Sequence, residues 1–550
     1  MALKRLGFVA LFVAALLCSV ATNSPKFARA QFFPPTPCPT ASSNITVTGS
    51  YPCKIAAPHA SYVYNAVSYG AANNHSTDDT TAIQAAATAC ASTGGAIFLP
   101  PGAGYDTTAP ITLSSGCHVQ GPATVYYTNA GGGGNIVGAF TTTHSGSSPG
   151  VYSNIGVRDL TIAFAGSPAL YFYNVTNLSI ENVTITGTAG YTAECVAVQY
   201  SNRILISGLY VSGCPGDSII ALGDTEGTIT GNHLYNSADD AISVQGDGGS
   251  VGSAYFSVVG NTINTTTNGN GIRVEDSSTV SVAGNSVTGA AGSGVGIIVD
   301  ADPSEGPGAI AAVTVSGNTV SACPTEGIDV DNSLSGTMAG VVVSGNAVNT
   351  SGTNTSGSSV YAGILVKGPA LVSGNHVNAS GSSSQGLDAG GILVYGAYAD
   401  GATIAGNAVA NSPGNGLVLW DGSGLIDYSN VAFNDNTLLS NGTNVSIPSN
   451  ATQFGNTLLQ RNIGYNPIGP VTVTPSSHAW TNATGTSVTV YVTQSGSYTG
   501  TTTLTPSGRS AVTVTDAVGP FSYVVPPGAT LTWGVGGSVT SDPSFAGVGD

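Results

Sequence analysis

Gly271-Ile272-Arg273-Val274 is followed by Gly296-Ile297-Ile298-Val299, Gly327-Ile328-Asp329-Val330, Gly363-Ile364-Leu365-Val366 and Gly391-Ile392-Leu393-Val394. Ala241-Ile242-Ser243-Val244 precedes the series and Gly416-Leu417-Val418-Leu419 closes it. In each, branched apolar residues alternate with a variable one, the period-two pattern of a short half-buried strand. A second mark lies between them, a Gly-Asn step at Asn232, Asn261, Asn285, Asn318, Asn346, Asn375 and Asn407. The successive spacings are 29, 24, 33, 28, 29 and 32 residues. Units of this length with two or three strands each predict a parallel β-solenoid, in which every coil pairs with the next. Gly permits the turn at such a corner. Asn tolerates the left-handed conformation and can hydrogen-bond backbone or the Asn one coil away. Residues 177–185 and 202–206 read as earlier coils of the same object.

Alternation also predicts what faces out. If Ile and Val point inward, the outward pairs are Ser243 and Gln245, Arg273 and Glu275, Ile298 and Asp300, Asp329 and Asp331, Leu365 and Lys367, Leu393 and Tyr395, and Val418 and Trp420. Polar and acidic side chains occupy the first coils, apolar and aromatic ones the later coils. Arg273, Glu275, Lys367, Tyr395 and Trp420 are therefore the expected ligand-contacting residues, with Tyr398 beside them. Asp300, Asp302, Asp329 and Asp331, with Glu275, have the hard-oxygen chemistry of Ca²⁺ ligands. The same run also reads as a solvated acidic face.

The ends of the chain depart from the repeat. Lys4 and Arg5, the apolar run 6–17 and Ala28-Arg29-Ala30 predict a cleaved secretory signal over residues 1–30, with a linker over 31–60. The run is too short for a membrane span, and no second long apolar stretch follows. The solenoid is expected over 61–468, capped by a helix in 78–90, and a small β domain over 469–550. Only 7% of the 550 residues are charged and the net charge is −17, so a nucleic-acid partner is excluded for want of a basic surface. An exported chain permits disulfides, and the sequence-near pairs are 38–53, 90–117 and 195–214, with Cys323 left over. No cysteine or histidine grouping predicts zinc.

Val67-Ser68-Tyr69-Gly70-Ala71, Thr77-Asp78-Asp79-Thr80-Thr81-Ala82-Ile83-Gln84 and Gly94-Gly95-Ala96-Ile97-Phe98-Leu99-Pro100-Pro101-Gly102 together resemble the entry motif of the pectate-lyase-like superfamily. The resemblance extends over residues 60–465. It implies an all-β, right-handed parallel β-helix and an extracellular polysaccharide as partner, with a homotrimer as one form that relatives take. Within the superfamily the chain is most similar to polygalacturonase- and rhamnogalacturonase-type hydrolases of glycoside hydrolase family 28. Gly216-Asp217 stands one coil before Asp239-Asp240. Carried over, Asp217 and Asp239 resemble the water-activating pair and Asp240 the general acid of an inverting hydrolase, which needs no cofactor. The family's Gly-His-Gly is Gly269-Asn270-Gly271 here, and its Arg-Ile-Lys has no counterpart.

Two other readings stay open. One is a Ca²⁺-assisted polysaccharide lyase or epimerase working in the Glu275–Asp331 region, with Arg273 as the basic partner. The other is a surface protein that binds glycans without turnover, its aspartates being turn residues at coil corners.

Overall fold

A computed structural model describes residues 62–446 apart from short loop segments, then 458–460 and 462, and the strands between 471 and 549. The expected leader, the linker and the Cys38–Cys53 pair lie outside the described residues. One parallel sheet runs through the molecule and takes a single strand from each of 13 coils, from Ile111–Thr112 to Thr443–Ser446. The Gly-Ile-x-Val segments are its middle strands. Ile219, Ile242, Ile272, Ile297, Ile328, Ile364, Ile392 and Leu417 stand in register along it. These side chains are buried, as are the residues two positions on, and they form the core of the coil with the inner faces of the remaining parallel strands.

The Gly-Asn steps form a second repeated contact, made by side chains. Asn232, Asn261, Asn285, Asn318, Asn346, Asn375, Asn407, Asn436 and Asn462 stack, each Nδ2 donating to the next Oδ1 at 2.8–3.0 Å. Each of the first eight also sends its backbone N–H to that same Oδ1. The second amide hydrogen of Asn318 goes to the Val282 carbonyl, and its neighbours do likewise. A buried amide is thereby fully partnered at every coil. The preceding Gly, not the Asn, is left-handed: Gly317 has φ 63° and Gly345 φ 63°. At the next-to-last rung Asp435 takes that conformation, with φ 56°, so the ladder continues past the last Gly-Asn step.

At the N-terminal end the helix Thr80–Ala91 packs Ile83, Ala86, Ala87 and Cys90 against the first coil. Asp79 is the N-cap residue, but its side chain makes no capping bond. Its buried carboxylate accepts from the N–H groups of Ala72 and Asn73, while Asp78 Oδ1 takes the Thr80 N–H at 3.0 Å. Cys90–Cys117 and Cys195–Cys214 are disulfides, and Cys323 is free and buried. Val488–Thr493 and Val512–Asp516, within the region expected to be a separate β domain, lie in two four-stranded sheets paired antiparallel. Among the described residues no helix is long and apolar enough to cross a membrane.

The ladder makes a quantitative prediction. Asn318→Ala removes an acceptor from Asn285 and a donor from Val282, leaving two buried groups unmet at about 1–3 kcal/mol each, or about 2–6 kcal/mol in all. Ser281→Ala, on the outer side of a neighbouring strand, should stay within about 0.5 kcal/mol. Urea unfolding midpoints of the two variants check this.

Candidate active site

Each coil turns a corner just before it enters the 13-stranded sheet. Backbone bonds place Asp217, Asp240, Asn270, Val295 and Glu326 above one another at that corner: the carbonyl of each receives the N–H that follows the corner residue one coil earlier. Side chains continue the column. Asp217 Oδ1 accepts the Asp240 N–H at 2.8 Å, and Asp240 Oδ1 accepts Asn270 N–H at 2.6 Å and Nδ2 at 2.9 Å. Asn270 Oδ1 in turn accepts from Val295 N–H at 2.9 Å. This is the ladder chemistry again, with carboxylates on two rungs. Asn270, at the position of the missing histidine, is thus a support for Asp240. Gly269 allows the close approach, since a Cβ there would lie 2.3 Å from the Asp239 carbonyl carbon.

The structure brings Asp217, Asp239 and Asp240 together, one carboxylate oxygen from each lying within 4.8 Å of those of the other two. Asp217 and Asp240 are buried and Asp239 is exposed. Burial, then the charges of Asp240, Asp239 and Glu194, pushes the Asp217 carboxyl well above its ordinary range. Burial also raises Asp240, to about 6, against the opposing pull of the Asn270 N–H groups and Arg273. Glu194 is raised by burial and by Asp239. Sequence reading missed Glu194 and Glu326. Both stand two residues before the first residue of their strand, as Asp240 does, so aligning the coils on that residue would have found them.

Farther along, the outward ranks are those that alternation predicted: Ser243 pairs with Arg273, Ile298 with Asp329, and Asp331 with Lys367. Arg273 Nη2 lies 2.9 Å from Glu275 and 3.1 Å from Asp300. Lys367 Nζ lies 3.0 Å from Asp329 and 2.7 Å from Asp331. Tyr395 meets Trp420 edge to face at 4.7 Å and stacks on Tyr398 at 5.5 Å.

The expected Ca²⁺ ligands do not converge. Asp300, Asp329 and Asp331 hold cationic side chains. Asp302 lies beyond the strand, its carboxylate accepting from Ser304 N–H at 2.8 Å and Ser304 Oγ at 2.6 Å. Among the described residues only the Asp217, Asp239 and Asp240 trio gathers three such oxygens closely enough to share an ion. Nor is Arg273 suited to remove a proton. Burial disfavours its charge, but Asp300, Glu275 and Asp240 outweigh burial and hold its pKa above the ordinary value.

Residues 150–305 match the family model of the right-handed β-helix region. Among curated proteins none matches the chain. A mutant tailspike protein of E. coli bacteriophage HK620, in complex with a pentasaccharide, superposes with a TM-score of 0.51 at 14% identity, covering 86% of this chain and 90% of its own. A mannuronan C-5 epimerase A-module of Azotobacter vinelandii gives 0.44 at 19% identity, covering 74% of this chain and 100% of its own. A family 28 exopolygalacturonase of Yersinia enterocolitica gives 0.38 at 12% identity, covering 73% and 77%. At such identities the likeness is one of fold. By its own coil-to-coil pairing, by the match over residues 150–305 and by the tailspike superposition, the chain is a right-handed parallel β-helix.

Proposed function

We propose that the protein is a secreted glycoside hydrolase that cleaves a polysaccharide at Asp217, Asp239 and Asp240. The observation that carries this reading is the trio itself: three carboxylates within 4.8 Å, two withdrawn from water and one open to it. Hydrolysis needs one carboxyl that keeps its proton and one that gives its charge to water. Asp240, raised by burial, donates its proton to the glycosidic oxygen. Asp239 takes a proton from the water that attacks the anomeric carbon. Asp217 departs from the water-activating role that the resemblance implies. Burial and three neighbouring carboxyls favour its protonated form, and its bond to the Asp240 N–H makes it a positioning residue. A tailspike of the same fold binds a pentasaccharide, which agrees with a glycan as ligand.

A second reading of the stereochemistry is favoured by distance. Inverting pairs stand about 6.5–9.5 Å apart and retaining pairs about 5–5.5 Å. One oxygen from each carboxyl of the trio lies within 4.8 Å of the others, a closest approach nearer the retaining value, which would make Asp239 a nucleophile. Proton NMR of the first-formed anomer separates the two.

The mature protein incubated with a panel of neutral, amino and acidic polysaccharides should release products heavier by one water, read by mass spectrometry. Unsaturated products would replace the hydrolase reading with a lyase, and binding without turnover would replace it with a binding protein. Asp240→Asn and Asp239→Asn should each lower kcat by about 10²–10⁴-fold with the fold intact by circular dichroism. Unchanged turnover in Asp240→Asn overturns the assignment.

The pH dependence has a definite sign. The general acid must hold its proton, so kcat/KM should fall as pH rises through about 6, the value to which burial lifts Asp240. Arg273→Gln removes a charge that favours the ionised form and should move that limb to higher pH.

A further inference from the structure

The repeat asks for glycine immediately before each inward Ile, and Gly271, Gly296, Gly327, Gly363 and Gly391 supply it. Space explains the choice: a Cβ on Gly327 would lie 2.5 Å from a Val348 methyl carbon, and one on Gly363 2.6 Å from a Val377 methyl carbon. The three coils before Gly271 carry Cys195, Ser218 and Ala241 at that place. Two of these side chains are bonded across the corner. Cys195 forms its disulfide with Cys214, and Ser218 Oγ lies 2.6 Å from Ser237 Oγ. The two bonds are equivalent. Ser212 pairs in register with Tyr235, so Cys214 and Ser237 hold the same position in successive coils.

Each bond is a diagonal strut from the exit of one corner to the entry of the next. The disulfide joins the corner of Glu194 to that of Asp217, and the hydroxyl pair joins the corner of Asp217 to that of Asp239 and Asp240. One level on, the Ala241 side chain has no polar atom, and Thr266 Oγ1 turns to the Gly269 carbonyl at 2.5 Å. Ser218 and Ser237 are 0% and 1% exposed, so water does not compete for their bond. Main-chain bonds hold both residues to the next coil: the Ser218 N–H donates to the Asp240 carbonyl at 3.0 Å, and the Ser237 carbonyl accepts the Thr267 N–H at 2.8 Å. What the hydroxyls add is the spacing across the corner. Asp217 is adjacent to Ser218 and Asp239 is two residues from Ser237, so a change in that spacing passes directly to the carboxylates.

We propose that the Ser218–Ser237 hydroxyl pair is a positioning device for the trio, setting the distance between Asp217 and the carboxylates of Asp239 and Asp240. The proposal rests on the hydrolase reading for its effect on rate, but not for its effect on geometry.

The test compares Ser218→Gly, Ser237→Ala and their double variant with Asp240→Asn, all in the full-length protein. Ser218→Gly installs the residue that later coils already use, and the double variant leaves neither hydroxyl without a partner. Each should lower kcat by about 10–10²-fold with KM within about twofold, because a displacement of ~1 Å in a catalytic group costs on that order. A Ser218→Cys/Ser237→Cys variant copies the preceding disulfide. Its kcat should be near that of the natural protein when oxidised and fall when reduced, relative to the natural protein in the same reductant. Crystal structures of the natural protein and the double variant read the trio without turnover, and Asp217 should shift from Asp239 by about 1 Å. Unchanged kcat beside an inactive Asp240→Asn overturns the proposal, as does a trio that does not move. So does recovery of kcat in the double variant, which would trace the loss to an unpartnered hydroxyl rather than to the missing strut. If Asp240→Asn is as active as the natural protein, or no polysaccharide is cleaved, the hydrolase reading fails by itself and the crystal structures decide the strut.

Discussion

A buried side-chain amide has two donors and one strong acceptor to satisfy, and in this chain the next coil supplies the partners. The stack from Asn232 to Asn462 repeats that solution at nine levels. Because Oδ1 receives both the amide and the backbone N–H of the coil before it, each asparagine ties side chain and main chain to the same neighbour. A slip of one residue would put a Gly, or a residue such as Thr262, Ser286 or Thr319, where the amide must be and turn every inward Ile and Val outward. The register of the helix, and with it the order of everything on its outer face, follows from this constraint.

That order matters because one strand per coil turns the outer face into a linear series. The corner column carries the carboxylates, and the strand that follows carries Arg273, then Asp300, then Asp329 and Asp331, then Lys367 and the aromatic rings. Few of these groups are open to water. Burial therefore acts on most of them in the same sense, raising carboxyls such as Asp240 to about 6 and Asp329 to about 7, while the cations lying among them oppose it. The face is a low-dielectric surface on which small differences in neighbours assign different protonation states to chemically identical residues.

How much of this was legible depended on whether the signal was periodic. The coils, the outward ranks and the two disulfides could be read because alternation, Gly-Asn steps and sequence-near cysteines are local patterns with a local cause. The ladder's last two rungs were not, since Asp435 replaces the marker glycine and adopts its conformation without being glycine. Asp217, Asp239 and Asp240 were legible as a group only through a resemblance, and their contacts explain why. Asp217 bonds the backbone of a residue 23 positions away, a relation that no local pattern encodes. The acidic run misled in the opposite way. Four aspartates close in sequence suggested one metal, whereas successive coils bring Arg273 and Lys367 between them, and Asp302 lies past the end of its strand.

The even pitch of the 13-stranded sheet makes it a ruler. Each coil advances the outer face by about 4.8 Å, so the separation between the carboxylate trio and any residue farther along that face is a whole number of coils. Duplicating or deleting one coil would change that number by one while leaving each remaining coil's own packing and ladder bonds as they were. The spacing between positions on the outer face can therefore change in discrete increments, by copying a segment of roughly 30 residues, without redesign of either end.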